Sequence, residues 1–211
     1  MDNISNLEDG VTQNQDFLIE IKTGYDIALL MTAFANSSGG KVCIGVKGNG
    51  KVIGCNPAEQ IAKLESVSSS ICKPELSFQV DVIEVNLKLV VVVTIQECQH
   101  KPIKCQNISG EWKAFVRLDK QNIEANKIML GVWKNQRVSH TQETIISPEA
   151  TAILTLVEEF KSCTLSKLYK SAHLPYRDVD NAVIYLVSRN RIHIGADCDQ
   201  LVFRSSYVKI F

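Results

Sequence analysis

Residues 17–54 constrain the fold of this chain more tightly than any other stretch. Phe17, Ile19 and Ile21 alternate with Leu18, Glu20 and Lys22, which predicts a short strand with one polar end. Ile27, Leu30, Met31 and Phe34 then fall at helical spacing, and Gly39-Gly40 supplies the stop that such a helix needs. Lys41 to Val46 predicts a second strand, Asn49-Gly50 is a tight-turn signal, and Val52-Ile53 predicts the returning strand. A phosphate-cradling loop runs from a strand into a helix N-terminus, where free N–H groups meet the anion. Gly48, Gly50 and Gly54 instead link two expected strands, and no lysine-serine pair follows them. ATP hydrolysis is therefore not expected.

The remaining pattern predicts two domains. Asn56 is placed to cap a helix, with Pro57 at its first position and Glu59 reaching back; Ile61, Leu64 and Ile71 lie along its buried side. Leu76 to Val82 alternates as a half-buried strand, Asn86-Leu87-Lys88 turns, and Leu89 to Ile95 reads as a fully buried strand. Pro102 to Cys105 and Trp112 to Leu118 form another expected pair around Ser109-Gly110, and Ile123 to Trp133 a closing helix. Trp112 and Trp133 sit at core spacing. The fold class expected is α/β (α+β): a mixed, largely antiparallel sheet with flanking helices, plus a C-terminal winged helix-turn-helix. Its boundaries fall at 1–136 for the first domain, 137–147 for a polar linker containing His140, and 148–211 for the winged helix. That second domain starts at Ser147-Pro148-Glu149. It continues through helices at 153–160, 165–172 and 179–186, then two strands flanking a polar tip at 195–200.

Composition excludes several classes. The 211 residues carry 23 basic and 23 acidic side chains, so avid charge-driven binding needs a local patch rather than a global excess. The longest apolar run, Leu89 to Ile95, is far too short to span a bilayer, and the acidic start has no apolar leader; a cytoplasmic protein without membrane contact is expected. Seven cysteines, at 43, 55, 72, 98, 105, 163 and 198, form no Cys-x-x-Cys and read as reduced, buried thiols. Cys98, His100 and Cys105 lack the second pair that a zinc site requires, so no metal or other cofactor is expected.

Glu20 and Lys22, Phe34 to Gly40, Gly45-Val46, Ile53-Gly54, Lys101-Pro102-Ile103, Phe115-Val116-Arg117, Asn122 and Ala125 occur in an order that resembles the Schlafen-type AlbA-like domain, over residues 13–133. The domain has been described as a divergent AAA-type ATPase and as DNA-binding. The resemblance implies a nucleic-acid contact surface at Lys22, Asn36 and Arg117. It also implies an alternative, a metal-dependent endoribonuclease, in which Glu20 is the carboxylate retained. Such chemistry needs several carboxylates on one cation, and the matching earlier position is Gln15, with Asp16 beside it. The hairpin tip, often acidic in the family, is Lys47-Gly48-Asn49, and Leu118-Asp119 replaces the usual Gly-Ser.

The C-terminal region resembles small bacterial winged helices, most clearly at 180–192. A recognition helix reads bases with the side chains of its first turns, which selects Tyr176, Arg177 and Asn181 near Asp178. Lys167 and Lys170 would meet phosphates from the preceding helix, and Arg189, Arg191 and His193 would flank the backbone. The function expected is nucleic-acid binding, with duplex DNA as partner, by a transcriptional regulator that performs no catalysis and forms a homodimer. A protein-interaction adaptor is the second alternative, since Asp178 and Asp180 repel phosphate.

Overall fold

The structure is a computed structural model that describes residues 10–136, 146–197 and 200–206. The chain divides into two compact units, 1–124 and 125–211.

The first unit contains β1 (Gln15–Leu18), α1 (Gly24–Ala35), β2 (Gly40–Ile44), α2 (Pro57–Ser70) and β3 (Cys72–Lys73). β4 (Gln79–Val85), β5 (Lys88–Ile95), β6 (Lys104–Gln106), β7 (Trp112–Leu118) and β8 (Gln121–Glu124) follow. One sheet has the order β1-β2-β5-β4 and the other β3-β6-β7-β8. Among the described strands of this unit only β1 and β2 pair in parallel, so their connection must cross over, and α1 is that crossover. Thr23 caps α1 by accepting a hydrogen bond from Asp26 N at 3.1 Å. The helix is apolar nearly all round and is buried accordingly: Ile27, Leu30, Met31, Ala33 and Phe34 share a core with Val42, Ile44, Val91, Val93 and Phe115.

Turn chemistry sets the hairpins. Asn86 and Leu87 both have positive φ, as a two-residue hairpin of this hand demands, and Leu87 is left 91 % exposed. At the expected return strand, Gly45 (φ +100°) and Gly54 (φ +83°) curl the chain so that Ile53 N and Gly54 N both donate to Gly45 O. Only the single bridge Val46–Val52 forms there. Asn56 makes no side-chain cap, and Glu59 pairs with Lys63 at 2.7 Å instead of reaching back.

The second unit holds α3 (Lys127–Gln136), α4 (Pro148–Phe160), β9 (Ser162–Thr164), α5 (Leu165–Ser171), α6 (Tyr176–Ser188), β10 (Ile192–Asp197) and β11 (Gln200–Ser205). Ser147 caps α4 through Ala150 N at 3.2 Å. The strands form one antiparallel sheet, β10-β11-β9. Ile153, Val157, Leu168, Val179, Val183, Leu186 and Phe203 make its core.

The helix expected at 123–133 to close the first domain is a correction in two respects. Gln121–Glu124 is a strand, with Ile123 opposite Val116. The helix starts after Asn126, whose side chain accepts from Ile128 N and Met129 N, and it buries Ile128 and Val132 in the second core. Residues 137–145 of the expected linker, and 198–199 of the expected wing tip, lie outside the described residues. Among the described residues no helix is long and apolar enough to cross a membrane.

Candidate functional site

Asn36 and Arg117, expected on a contact surface, are buried at 2 % and 1 % exposure. Asn36 caps the C-terminus of α1. Its Nδ2 donates to Ile103 O (2.7 Å) and Phe115 O (2.9 Å), and its Oδ1 accepts from Ile103 N (2.7 Å). One side chain thus satisfies three backbone groups of the strand edge beside it. Arg117 donates to Asp16 Oδ2 (2.7 Å), Asn122 Oδ1 (3.1 Å), Thr12 O (2.9 Å) and Gln15 O (3.3 Å), and its guanidinium stacks 5.0 Å from the Phe34 ring centre. Ser37 joins the two, its Oγ accepting from Arg117 N at 2.7 Å. Both residues fasten the end of α1, β7 and the segment before β1; neither faces solvent. Asp16 is the counter-ion of Arg117.

The glycine pair has a packing role as well. A side chain on Gly39, at φ +72°, would meet Ile95 O at 2.7 Å, and one on Gly40 would strike the Phe34 ring. The close approach is to the protein's own backbone and core. A cleft of about 450 Å³ lies alongside, lined by Asn14, Ser38, Lys41, Thr94 and Glu97 among others.

Glu20 and Lys22 are exposed and border a second cleft, about 350 Å³, together with Asp26, Val46 and Gly48. Among the described residues no group of three or more His, Cys, Asp or Glu side chains is placed to hold a metal ion. Cys105, part of the tempting Cys98–His100–Cys105 set, lies in the first core. Burial pushes the thiols up: Cys43 to about 11, Cys72 to about 12 and Cys163 to about 11. These thiols should therefore be inert to a thiol-specific reagent at pH 8 in the native protein and react on unfolding, which a timed alkylation read by mass spectrometry checks. Because each folded value exceeds the unfolded one near 9, their contribution holds below pH 9 and is lost as pH rises towards 11–12.

In the second unit Lys167, Lys170, Tyr176, Arg177, Asn181 and His193 are exposed, while Arg189 and Arg191 are half-buried. Lys167 Nζ sits 3.6 Å from the Phe160 ring centre, and Arg189 lies 5.8 Å from that of Tyr185. Tyr176 packs its ring 4.5 Å from Tyr169 yet stays 68 % exposed. The first turns of α6 and one side of α5 thus offer cationic and amide groups to solvent.

Sequence reasoning missed a polar latch nearby. Lys127 of α3 and Tyr169 of α5 both bond the Asp180 carboxylate of α6. Burial and then the Asp180 bond raise the Tyr169 hydroxyl above its usual range, and the Asp180 and Tyr169 bonds raise Lys127. Gly131 leaves room for Ile184, whose side chain a Cβ there would strike. Asp180, counted in sequence as a repulsive charge, is therefore neutralised locally. Asp178 is not in that latch: with Glu149, Asn181 and Tyr185 it lines a groove of about 460 Å³. No local period encodes the latch, because its partners lie 53 and 11 residues from Asp180 on other helices.

The DIP2311 protein from Corynebacterium diphtheriae is similar to this chain with a TM-score of 0.48 at 14 % identity, over 92 % of this chain and 38 % of that one. The N-terminal domain of a RecG-related protein from Nitrosomonas europaea is similar with a TM-score of 0.43 at 18 % identity, over 70 % of this chain and 97 % of that one. The chain thus spans less than half of the DIP2311 protein. Comparison with curated proteins gives no match. The family model described as Schlafen, AlbA_2 matches residues 11–126. That span exceeds half of the 211 residues and takes in every element from β1 to β8, so the chain belongs to the Schlafen AlbA_2 family.

Proposed function

We propose that the protein binds nucleic acid, duplex DNA first, as a non-catalytic transcriptional regulator whose second unit acts as a winged helix. The observation that carries this reading is the exposed start of α6. Arg177 and Asn181 face solvent there, and Lys167 and Lys170 of α5 are exposed as well. After α3, the unit's order of helix, strand, two helices and hairpin suits a fold that lays its last helix, α6, in the major groove. Arginine and asparagine are the side chains that read guanine and adenine edges bidentately, and lysines position the backbone. Two such units on a homodimer would meet two half-sites of a two-fold operator.

Lys170→Ala with Arg177→Ala is expected to weaken binding to labelled duplex DNA at least tenfold and to make its salt dependence shallower by about 1. Unchanged affinity would remove the second unit from the reading. The same assay with RNA and magnesium addresses catalysis: intact RNA is expected, whereas cleavage abolished by Glu20→Gln would favour the nuclease. The groove holding Glu149 and Asp178 supports a second reading, an adaptor that docks a basic protein segment. That reading expects no nucleic-acid affinity at low salt.

A further inference from the structure

The loop after β2 and the β4–β5 turn meet at one end of the first sheet. Lys47 N donates to Lys51 O (2.9 Å), Lys88 Nζ to Val52 O (3.2 Å), and Cys55 N to Leu89 O (2.9 Å). The Cys55–Leu89 backbone bond and the Lys88 side-chain bond therefore bring Lys47, Lys51 and Lys88 together on two neighbouring turns, and all three are exposed. None of them is in an ion pair among the described residues. The surrounding sequence is one-sided in a chain that is neutral overall. Between Asp26 and Glu59 there are three lysines and no carboxylate, and between Glu84 and Glu97 the single charge is Lys88.

Among the described residues three carboxylates lie near this end. Glu84, on β4, is paired in register with Leu89, and Glu20 and Asp26 border the cleft that reaches Gly48. Gly48 has nothing within 4 Å of where a Cβ would stand, so the main chain of the loop is open to a close-fitting ligand. The loop does not lead into a helix N-terminus, which removes the focused dipole that a nucleotide-binding loop uses. What remains is a set of strongly hydrated point charges on flexible stems, suited to anions spaced along a strand rather than to one enclosed phosphate.

We propose that this lysine-bearing end of the first unit holds the phosphodiester backbone of nucleic acid, independently of sequence. The inference rests on the nucleic-acid reading above and adds a contact surface to it. Each lysine that neutralises a phosphate releases condensed counter-ions, so the patch has a direct signature in the salt dependence of binding.

The test uses the whole chain with Lys47→Gln, Lys51→Gln and Lys88→Gln combined, titrated against labelled duplex DNA and against single-stranded RNA of equal length across a salt series. A charge-preserving triple (all three to Arg) and a control triple (Lys104→Gln, Lys120→Gln, Lys161→Gln) accompany it. On duplex DNA the glutamine triple is expected to bind at least tenfold more weakly at low salt, with the log–log salt slope shallower by about 2–3. The arginine triple should keep the wild-type slope, and so should the control. A shallower slope on one nucleic acid alone would support the patch and identify that one as its ligand. Wild-type binding with an unchanged slope in the glutamine triple would overturn the patch and leave the nucleic-acid reading standing. An equal loss in the control triple would also overturn it, as a net-charge effect. No binding by the wild-type chain would overturn both.

Discussion

Arg117→Ala is expected to destabilise the first unit by about 3–5 kcal/mol, the range for removing one partner of a buried ion pair. The guanidinium is 1 % exposed and gives hydrogen bonds to Asp16, Asn122, Thr12 O and Gln15 O. Its loss leaves the Asp16 carboxylate, only 19 % exposed, without its counter-ion, and empties the space beside the Phe34 ring. Arg117→Lys should recover little of this, because an ammonium cannot reproduce the planar fork that reaches several acceptors at once. Urea unfolding followed by tryptophan fluorescence and by far-UV dichroism would measure it. Two transitions are expected to separate as the first unit weakens, so a single two-state fit is inappropriate. Native-like stability with lost nucleic-acid affinity would instead return Arg117 to a contact role.

Asn36→Asp is expected to lower stability by about 3 kcal/mol or more at neutral pH, more than Asn36→Ala, for which unmet buried partners alone suggest about 2–3 kcal/mol. The substitution replaces the donating Nδ2 by an oxygen facing Ile103 O and Phe115 O. An ionised carboxylate at 2 % exposure, opposed by two carbonyls, favours its protonated form. The sign of the pH effect follows. The folded carboxyl holds its proton more tightly than the unfolded one, so the variant loses stability as pH rises from the unfolded value near 4 to the raised folded value. Its deficit against wild type should therefore shrink on acidification towards pH 4. A deficit independent of pH would mean that the side chain has turned out to solvent. Thermal melts of both proteins across that range decide between these outcomes.

Much of the architecture is legible from local pattern. The order from β1 through α1 and Gly39-Gly40 to β2 follows from alternation, helical spacing and a glycine stop, each set within a few residues. Asn86-Leu87 and Ser109-Gly110 mark their turns by the same local logic, and Ser147-Pro148 marks the start of α4. Assignments that depended on distant partners came out differently. Ile123 stands seven residues before Leu130, a helical spacing, and fits a strand equally well; its pairing with Val116 resolves the choice. Asn56 looks like a cap by type and position, but makes no capping bond.

The candidate site divides in the same way. The exposure of Lys167, Lys170, Arg177 and Asn181 could be read in advance, because a helix with a well-defined apolar face puts its remaining residues outside. The fate of Asn36 and Arg117 could not. Amide and guanidinium groups serve a ligand or a buried backbone equally well, and the groups that claim these two side chains lie 67 to 105 residues away, apart from Asn122. The sequence by itself determined most of the helices and strands, though not the strand at 121–124, and that the chain is α+β. The tertiary structure alone decided that α3 belongs with the second core, that Asp180 is latched, and that the most ligand-like polar residues of the first unit are internal fasteners. Local propensity is a property of neighbours along the chain. Burial and hydrogen-bond partnership are properties of neighbours in space.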